Sequence, residues 1–181
     1  LESEYAALRA GCALLRCPHR GAIRVAGADR LEFLGRMLTQ RLADMGPGDV
    51  RPSLWLNRQG RIDADLRVGH DADHTDFDLD VHVAGATAQS LSAYLFSEDV
   101  QIEDITESTH RLALIGPKTP DLLRRAIEFD ADLQDGEVGP ERAASGRCAG
   151  ASVRLEREDS TAAAGFVLLM SATDAPGVYE T

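Results

Sequence analysis

The chain has 181 residues, 44% of them apolar, and a formal net charge of −11. That content suffices for one sizeable core or two small lobes. The acidic balance argues against bare nucleic acid and anionic membrane as partner surfaces, and no apolar run approaches the ~20 residues that span a bilayer.

Cys12, Cys17 and Cys148 are odd in number and show no CxxC spacing. This argues against a disulfide framework or a zinc site and for reduced thiols, so no metal is expected. No secretory n-region and h-region appear in the first residues, and the expected location is the cytoplasm.

Glu4 to Leu15 reads as a helix: Tyr5, Leu8, Cys12 and Leu15 recur at three and four, and Pro18 ends the run. Gly21 to Val25 reads as a short strand. A helix then starts behind Asp29, with Glu32 at the third helical position in a capping-box arrangement and Leu31, Leu34, Leu38 and Leu42 as its buried stripe. Met45-Gly46-Pro47-Gly48 stops it. Ser53 to Leu56 is an apolar run. Asn57-Arg58-Gln59-Gly60 follows, with two residue types that tolerate positive φ, and reads as a hairpin turn. The next segment alternates strictly, with Ile62, Ala64, Leu66 and Val68 on one side and Arg61, Asp63, Asp65 and Arg67 on the other.

Gly69 to Thr75 holds His70, Asp71, Asp73 and His74 without a further ligand at defined spacing, so it reads as a solvated loop. Asp76 to Val83 alternates again and is a third strand. Its face of Asp76, Asp78, Asp80 and His82 is expected to be wet or to line a cleft, because like charges repel when dry. Ala84 to Phe96 reads as a helix and Val100 to Ile105 as a strand. A second unit starts near Thr109, with a strand at Arg111 to Ile115, a Gly116-Pro117 break and a helix opened by Pro120. Asp130 to Ser145 reads as a loop, Ser152 to Leu155 and Phe166 to Met170 as strands, and Thr173-Asp174 as a helix start. The fold class is α+β, antiparallel sheets flanked by helices.

The run Leu-Asn-Arg-Gln-Gly-Arg-Ile-Asp-Ala-Asp-Leu-Arg-Val, residues 56–68, resembles the hairpin signature of the glycine-cleavage T-protein and YgfZ-type folate-binding superfamily. Leu8 to Leu15, His19-Arg20-Gly21, Val25 to Asp29 with Phe33-Leu34 and Leu38-Thr39, and Leu42 to Gly48 are similar to the family's opening order. The strand, Gly-Pro turn and helix after Thr109 look like its second domain. The resemblance implies two lobes, 1–107 and 108–181, with their interleaving left open. The relatives carry a third lobe downstream, and the expectation from the resemblance is that this chain lacks it.

The resemblance also implies a site. T-proteins move an aminomethyl carbon from a lipoyl arm to tetrahydrofolate. YgfZ-type relatives bind folate and support iron–sulfur enzyme maturation. The T-protein catalytic acid falls on Ala64, whose methyl group cannot accept a proton, so no catalytic residue is assigned. Ala163 falls where the family's pterin-binding Glu belongs, ahead of Gly165 and Phe166; losing that contact would cost roughly 1.5–3 kcal/mol. The implied folate-binding positions are Leu54, Ala64, Asp65, Val81 and His82. For His82 an exposed strand position is an equal alternative. An ion pair of Asp65 with Arg61 or Arg67 is preferred over catalysis, a turn role for Asn57 over ligand contact, and a core role for Trp55 over a stacking platform. The implied function is a YgfZ-type folate-binding-like protein with weakened tetrahydrofolate binding. An aminomethyltransferase and a non-catalytic gamma-like subunit of a sarcosine oxidase-type complex, with a protein partner, are the alternatives.

Overall fold

The computed structural model describes residues 2–130, 138–159 and 164–180. The chain divides into two units: Pro18–Thr106, and Leu1–Cys17 together with Glu107–Thr181. The resemblance implied lobes 1–107 and 108–181 with their interleaving left open; by contacts the first 17 residues group with the later unit.

The 18–106 unit holds β2 (Arg20–Ala26), α2 (Arg30–Met37), β3 (Val50–Leu56), β4 (Ile62–His70), β5 (His74–Asp80), α3 (Val81–Ser92) and β6 (Gln101–Asp104). Its sheet is antiparallel, in the order β3-β4-β5-β2-β6. The period-two pattern turns Ile23, Val25, Trp55, Ala64, Leu66, Val68, Phe77 and Leu79 into one core, where Phe33 and Leu34 of α2 and Ala84, Ala88 and Leu91 of α3 pack. Each fully buried large apolar side chain contributes about 1.5–3 kcal/mol relative to exposure.

Four readings in this unit are corrected. Helix α2 ends at Met37; Leu38 and Leu42 are buried beyond it, Leu38 as a β-bridge to Trp55. Asp29 makes no side-chain cap of α2, and its carboxylate instead accepts from the backbone N–H of Asp99 at 2.9 Å. The loop around residues 69–75 is a tight turn: His70 is buried at the end of β4 and bonded to Thr75 Oγ1 at 3.0 Å, and His74 opens β5. The third strand stops at Asp80, and Val81 and His82 form the first turn of α3. The Asp80 carboxylate accepts the His82 backbone N–H at 2.8 Å, an N-cap that outweighs the alternation of the sequence.

The split unit holds α1 (Glu2–Ala10), β1 (Ala13–Arg16), β7 (Thr109–Ile115), α4 (Thr119–Ala126), β8 (Ile127–Phe129), β9 (Ala143–Cys148), β10 (Ala151–Arg157), β11 (Gly165–Ser171) and α5 (Ala175–Tyr179). Its sheet runs β1-β7-β11-β10-β9-β8. Leu112, Leu114, Leu123, Leu155, Phe166 and Leu168 belong to its core. The expected helix from Glu4 to Leu15 ends five residues early. Gly11 donates to the Ala7 carbonyl at 2.8 Å, and the chain then pairs Ala13 to Arg16 with Ile115 to Leu112, so strand pairing overrides helical periodicity. Of the expected loop from Asp130 to Ser145, residues 131–137 lie outside the described residues, and Ala143 to Ser145 already belong to β9.

Candidate functional site

The hairpin turn is built by Asn57. Its side-chain oxygen accepts the backbone N–H of Gln59 and of Arg61, each at 3.0 Å, and its Nδ2 donates to Asp63 at 2.9 Å. Gly60 takes φ +75° behind it. Asn57 is thus a turn residue, as expected, and Asp63 is engaged in the turn.

The strand register then separates the implied site residues. Leu54 stands opposite Asp65, and Trp55 opposite Ala64. Leu54 and Asp65 therefore share the face turned away from the core; Leu54 is half-buried and Asp65 exposed. Ala64, 3% exposed, faces the core together with Trp55, 5% exposed. The apolar side of the ribbon packs in the core of its own unit. A bulge between Trp55 and Leu56 shifts the register, and Ile62, expected on the apolar side, lies 61% exposed at the tip.

The β4–β5 ladder ends at Leu66↔Leu79. Continued by two residues it would set Val81 against Ala64, but the chain turns into α3 there. The start of α3 and the hairpin thus meet at one end of the sheet, with Val81 half-buried and His82 exposed. Trp55 is core, as expected. It packs T-shaped against Tyr94, with 5.8 Å between ring centroids. Among the described residues its Nε1 is buried without a hydrogen-bond partner. Such an unmet donor costs about 1–3 kcal/mol.

The outer face carries an ion-pair array that sequence reading missed. Arg20 donates to Asp78 at 2.7 Å, and Arg24 grips Asp76 through two bonds of 2.9 and 2.7 Å. His74 reaches Asp73 at 2.6 Å and Asp76 at 3.4 Å. Burial pushes the Asp76 carboxyl up, but the bonds from Arg24 and His74 outweigh it and hold it at about 2. The bond to Asp76 raises the His74 imidazole above its ordinary value; burial opposes this and Asp73 adds to it. The face expected to be wet or to line a cleft instead holds Asp78 at 6% exposure, made tolerable by its arginine. The signal was present: Arg20 and Arg24 fall at even spacing on β2, as Asp76, Asp78 and Asp80 do on β5.

In the split unit, Gly165 and Phe166 open β11. A Cβ on Gly165 would run into the Glu158 carbonyl, and Phe166 is buried in the core. Both serve the fold. Ala163 lies outside the described residues. A cavity of about 150 Å³ adjoins Leu123, Leu155, Arg157, Ala164 and Phe166.

Among the described residues no cluster of three or more His, Cys, Asp or Glu side chains is arranged to hold a metal ion, and no helix is long and apolar enough to cross a membrane.

The family described as GCVT N-terminal domain matches residues 1–181. An aminomethyltransferase of Geobacillus kaustophilus is 28% identical over 99% of this chain and 49% of its own length. One of Thermus thermophilus is 28% identical over 97% of this chain and 50% of its own. The chain thus spans about half the length of these relatives. Among solved structures, the glycine cleavage system aminomethyltransferase T of Bartonella henselae superposes with a TM-score of 0.83 at 23% identity, covering 98% of this chain and 47% of that one. A chain of the heterotetrameric sarcosine oxidase of Corynebacterium sp. U-96 superposes with a TM-score of 0.70 at 20% identity, covering 99% and 87%. The hairpin signature, the two antiparallel sheets and a match along the full chain lead to one assignment: this chain belongs to the GCVT N-terminal domain family.

Proposed function

We propose that this chain is a tetrahydrofolate-binding-like protein of the YgfZ type, a cytoplasmic aid to iron–sulfur enzyme maturation that does not itself transfer an aminomethyl group. One observation carries the reading: position 64, where the family resemblance puts the transferase acid, holds a methyl group packed in the core. Nothing at that position can take a proton or stabilise a developing iminium cation. Leu54 and Asp65, on the outer face, fit a pterin as an apolar contact beside a carboxylate acceptor, with Val81 and His82 at the adjoining helix start. Tetrahydrofolate, when bound, carries the one-carbon unit; the chain's own residues would hold and orient the ring. The expected substitution of the pterin-binding Glu by Ala163 weakens that hold.

A thermal-shift titration tests the binding. Tetrahydrofolate at 100 times its Kd is expected to stabilise the chain by about 2.7 kcal/mol. A single-turnover assay with an aminomethyl-lipoyl donor tests the chemistry: transfer at the rate of an aminomethyltransferase would refute the assignment.

A second reading, a non-catalytic gamma-like subunit of a sarcosine oxidase-type complex, has its own support. A chain of the heterotetrameric sarcosine oxidase of Corynebacterium sp. U-96 shares this fold. Co-expression with the genomic neighbours followed by size-exclusion chromatography distinguishes them: co-elution in a larger complex favours the subunit.

A further inference from the structure

The six-stranded sheet of the split unit ends on one side at β1, which pairs with β7 alone. Cys17 donates its backbone N–H to the Arg111 carbonyl at 3.2 Å. In an antiparallel ladder that bonding recurs at every second residue. Ala13 and Leu15 therefore face β7, and the N–H and C=O groups of Leu14 and Arg16 turn to the open edge. Proteins blunt such edges with charge, a bulge or a covering segment. In the five-stranded sheet Leu38 and Thr39 cover β3, and β6 exposes Gln101, Glu103 and Asp104. β1 instead exposes two leucines, Leu14 at 42% and Leu15 at 45%. An open pocket of about 490 Å³ adjoins its start, lined by Cys12, Lys118, Asp121, Leu122 and Arg125.

The chain carries 30 acidic against 19 basic residues, yet this strip is cationic. Lys118 and Arg125 make no ion pair among the described residues. The one acid in the pocket, Asp121, is taken by Arg124 at 2.7 Å. At the other end of β1, Arg16 is exposed and stacks over the Tyr179 ring at 4.5 Å. Four strand residues set these two ends about 13 Å apart. We infer that β1 is a docking edge for an extended acidic–apolar segment of a partner protein, which joins the sheet as a further strand. Its backbone bonds Leu14 and Arg16, and its apolar side chains cover Leu14 and Leu15. Its carboxylates meet Lys118 and Arg125 at one end and Arg16 at the other. A second copy fits less well, because its own β1 offers no carboxylate. The docking edge is separate from the folate-type reading.

The probe is a dye-labelled, end-capped peptide Glu-Val-Thr-Val-Asp, titrated into the whole chain at low salt and followed by fluorescence anisotropy. A counterpart with lysine at both acidic positions is titrated beside it. The acidic peptide is expected to bind about tenfold tighter, and Lys118→Glu combined with Arg125→Glu should reverse the order. At saturation, exchange of the Leu14 and Arg16 amides should slow about tenfold, while that of Leu15, already bonded to β7, stays the same. Leu14→Pro removes an outward N–H without touching the β7 ladder and is expected to abolish binding. If that variant does not fold, the acidic peptide N-methylated at both valines serves in its place, and loss of its binding is expected. Absence of binding, equal binding of the acidic and basic peptides, or protection of amides away from β1 overturns the proposal. Protection of Leu14 and Arg16 in the free chain, with a dimer by light scattering, also overturns it and gives the edge to a second copy.

Discussion

Asp76→Asn removes the carboxylate at the centre of the outer-face array while leaving a side chain of the same size. Asp76 is held at about 2, against an ordinary value of 3.8, by Arg24 and His74 acting against its burial. At about 1.4 kcal/mol per pH unit, that difference amounts to about 2 kcal/mol of folding stability at neutral pH. The sign follows from a depressed folded-state value. The contribution is fully present above the unfolded-state value near 4 and is lost as pH falls through about 2. At pH 3 the unfolded carboxyl is mostly protonated while the folded one is still ionised, so about 1 kcal/mol remains. Urea denaturation of wild type and Asp76→Asn at pH 7, 5, 4 and 3 reads this directly. The gap should be constant from pH 7 to 5 and roughly halve by pH 3. A gap that stays flat down to pH 3 would show that it does not arise from the ionisation of the Asp76 carboxyl.

The same array has an alkaline limb. His74 is raised chiefly by its bond to Asp76, so its contribution is present below the unfolded-state value near 6.5 and lost as pH rises through the folded-state value; His74→Ala should narrow its deficit on going from pH 5.5 to 8.5. Gly27 takes φ +105°, and a Cβ there would collide with the Asp99 carbonyl. Gly27→Ala should therefore cost about 3 kcal/mol or more in chemical denaturation, and a cost under 1 would contradict the geometry. Asn57→Ala strips two backbone N–H groups of their acceptor and Asp63 of its donor; about 1–2 kcal/mol is expected, with faster amide exchange at Gln59 and Arg61 as the local signature.

The sheet of the 18–106 unit was legible because its strands obey a period of two and its hairpin carries Asn and Gly where the turn requires them. The site was legible only as positions along the chain. Alternation assigned Ala64 and Asp65 to opposite faces, and the structure agrees, but which face meets the core depends on α2 and α3 packing from elsewhere in the chain. His82 was misplaced because one carboxylate, Asp80, caps a helix at the point where alternation would have continued. Leu14 and Leu15 fit a helical stripe as well as a strand, and only β7, about a hundred residues onward, decides between them. The pairing of Arg20 and Arg24 with Asp78 and Asp76 needs the register of two strands separated by more than fifty residues.

The partnership of β1 with β7 sets an order of assembly. Every residue of the 18–106 unit leaves the ribosome before Ile115 can meet Ala13. The 13–16 segment must wait through the synthesis of a whole sheet with its strand-pairing N–H and C=O groups unmet, while a loop of about a hundred residues remains to be closed at an entropic cost that grows only slowly with length. A nascent chain halted before residue 109 should therefore hold a finished 18–106 unit and an unpaired 13–16 segment, open to chaperones and proteases until β7 emerges.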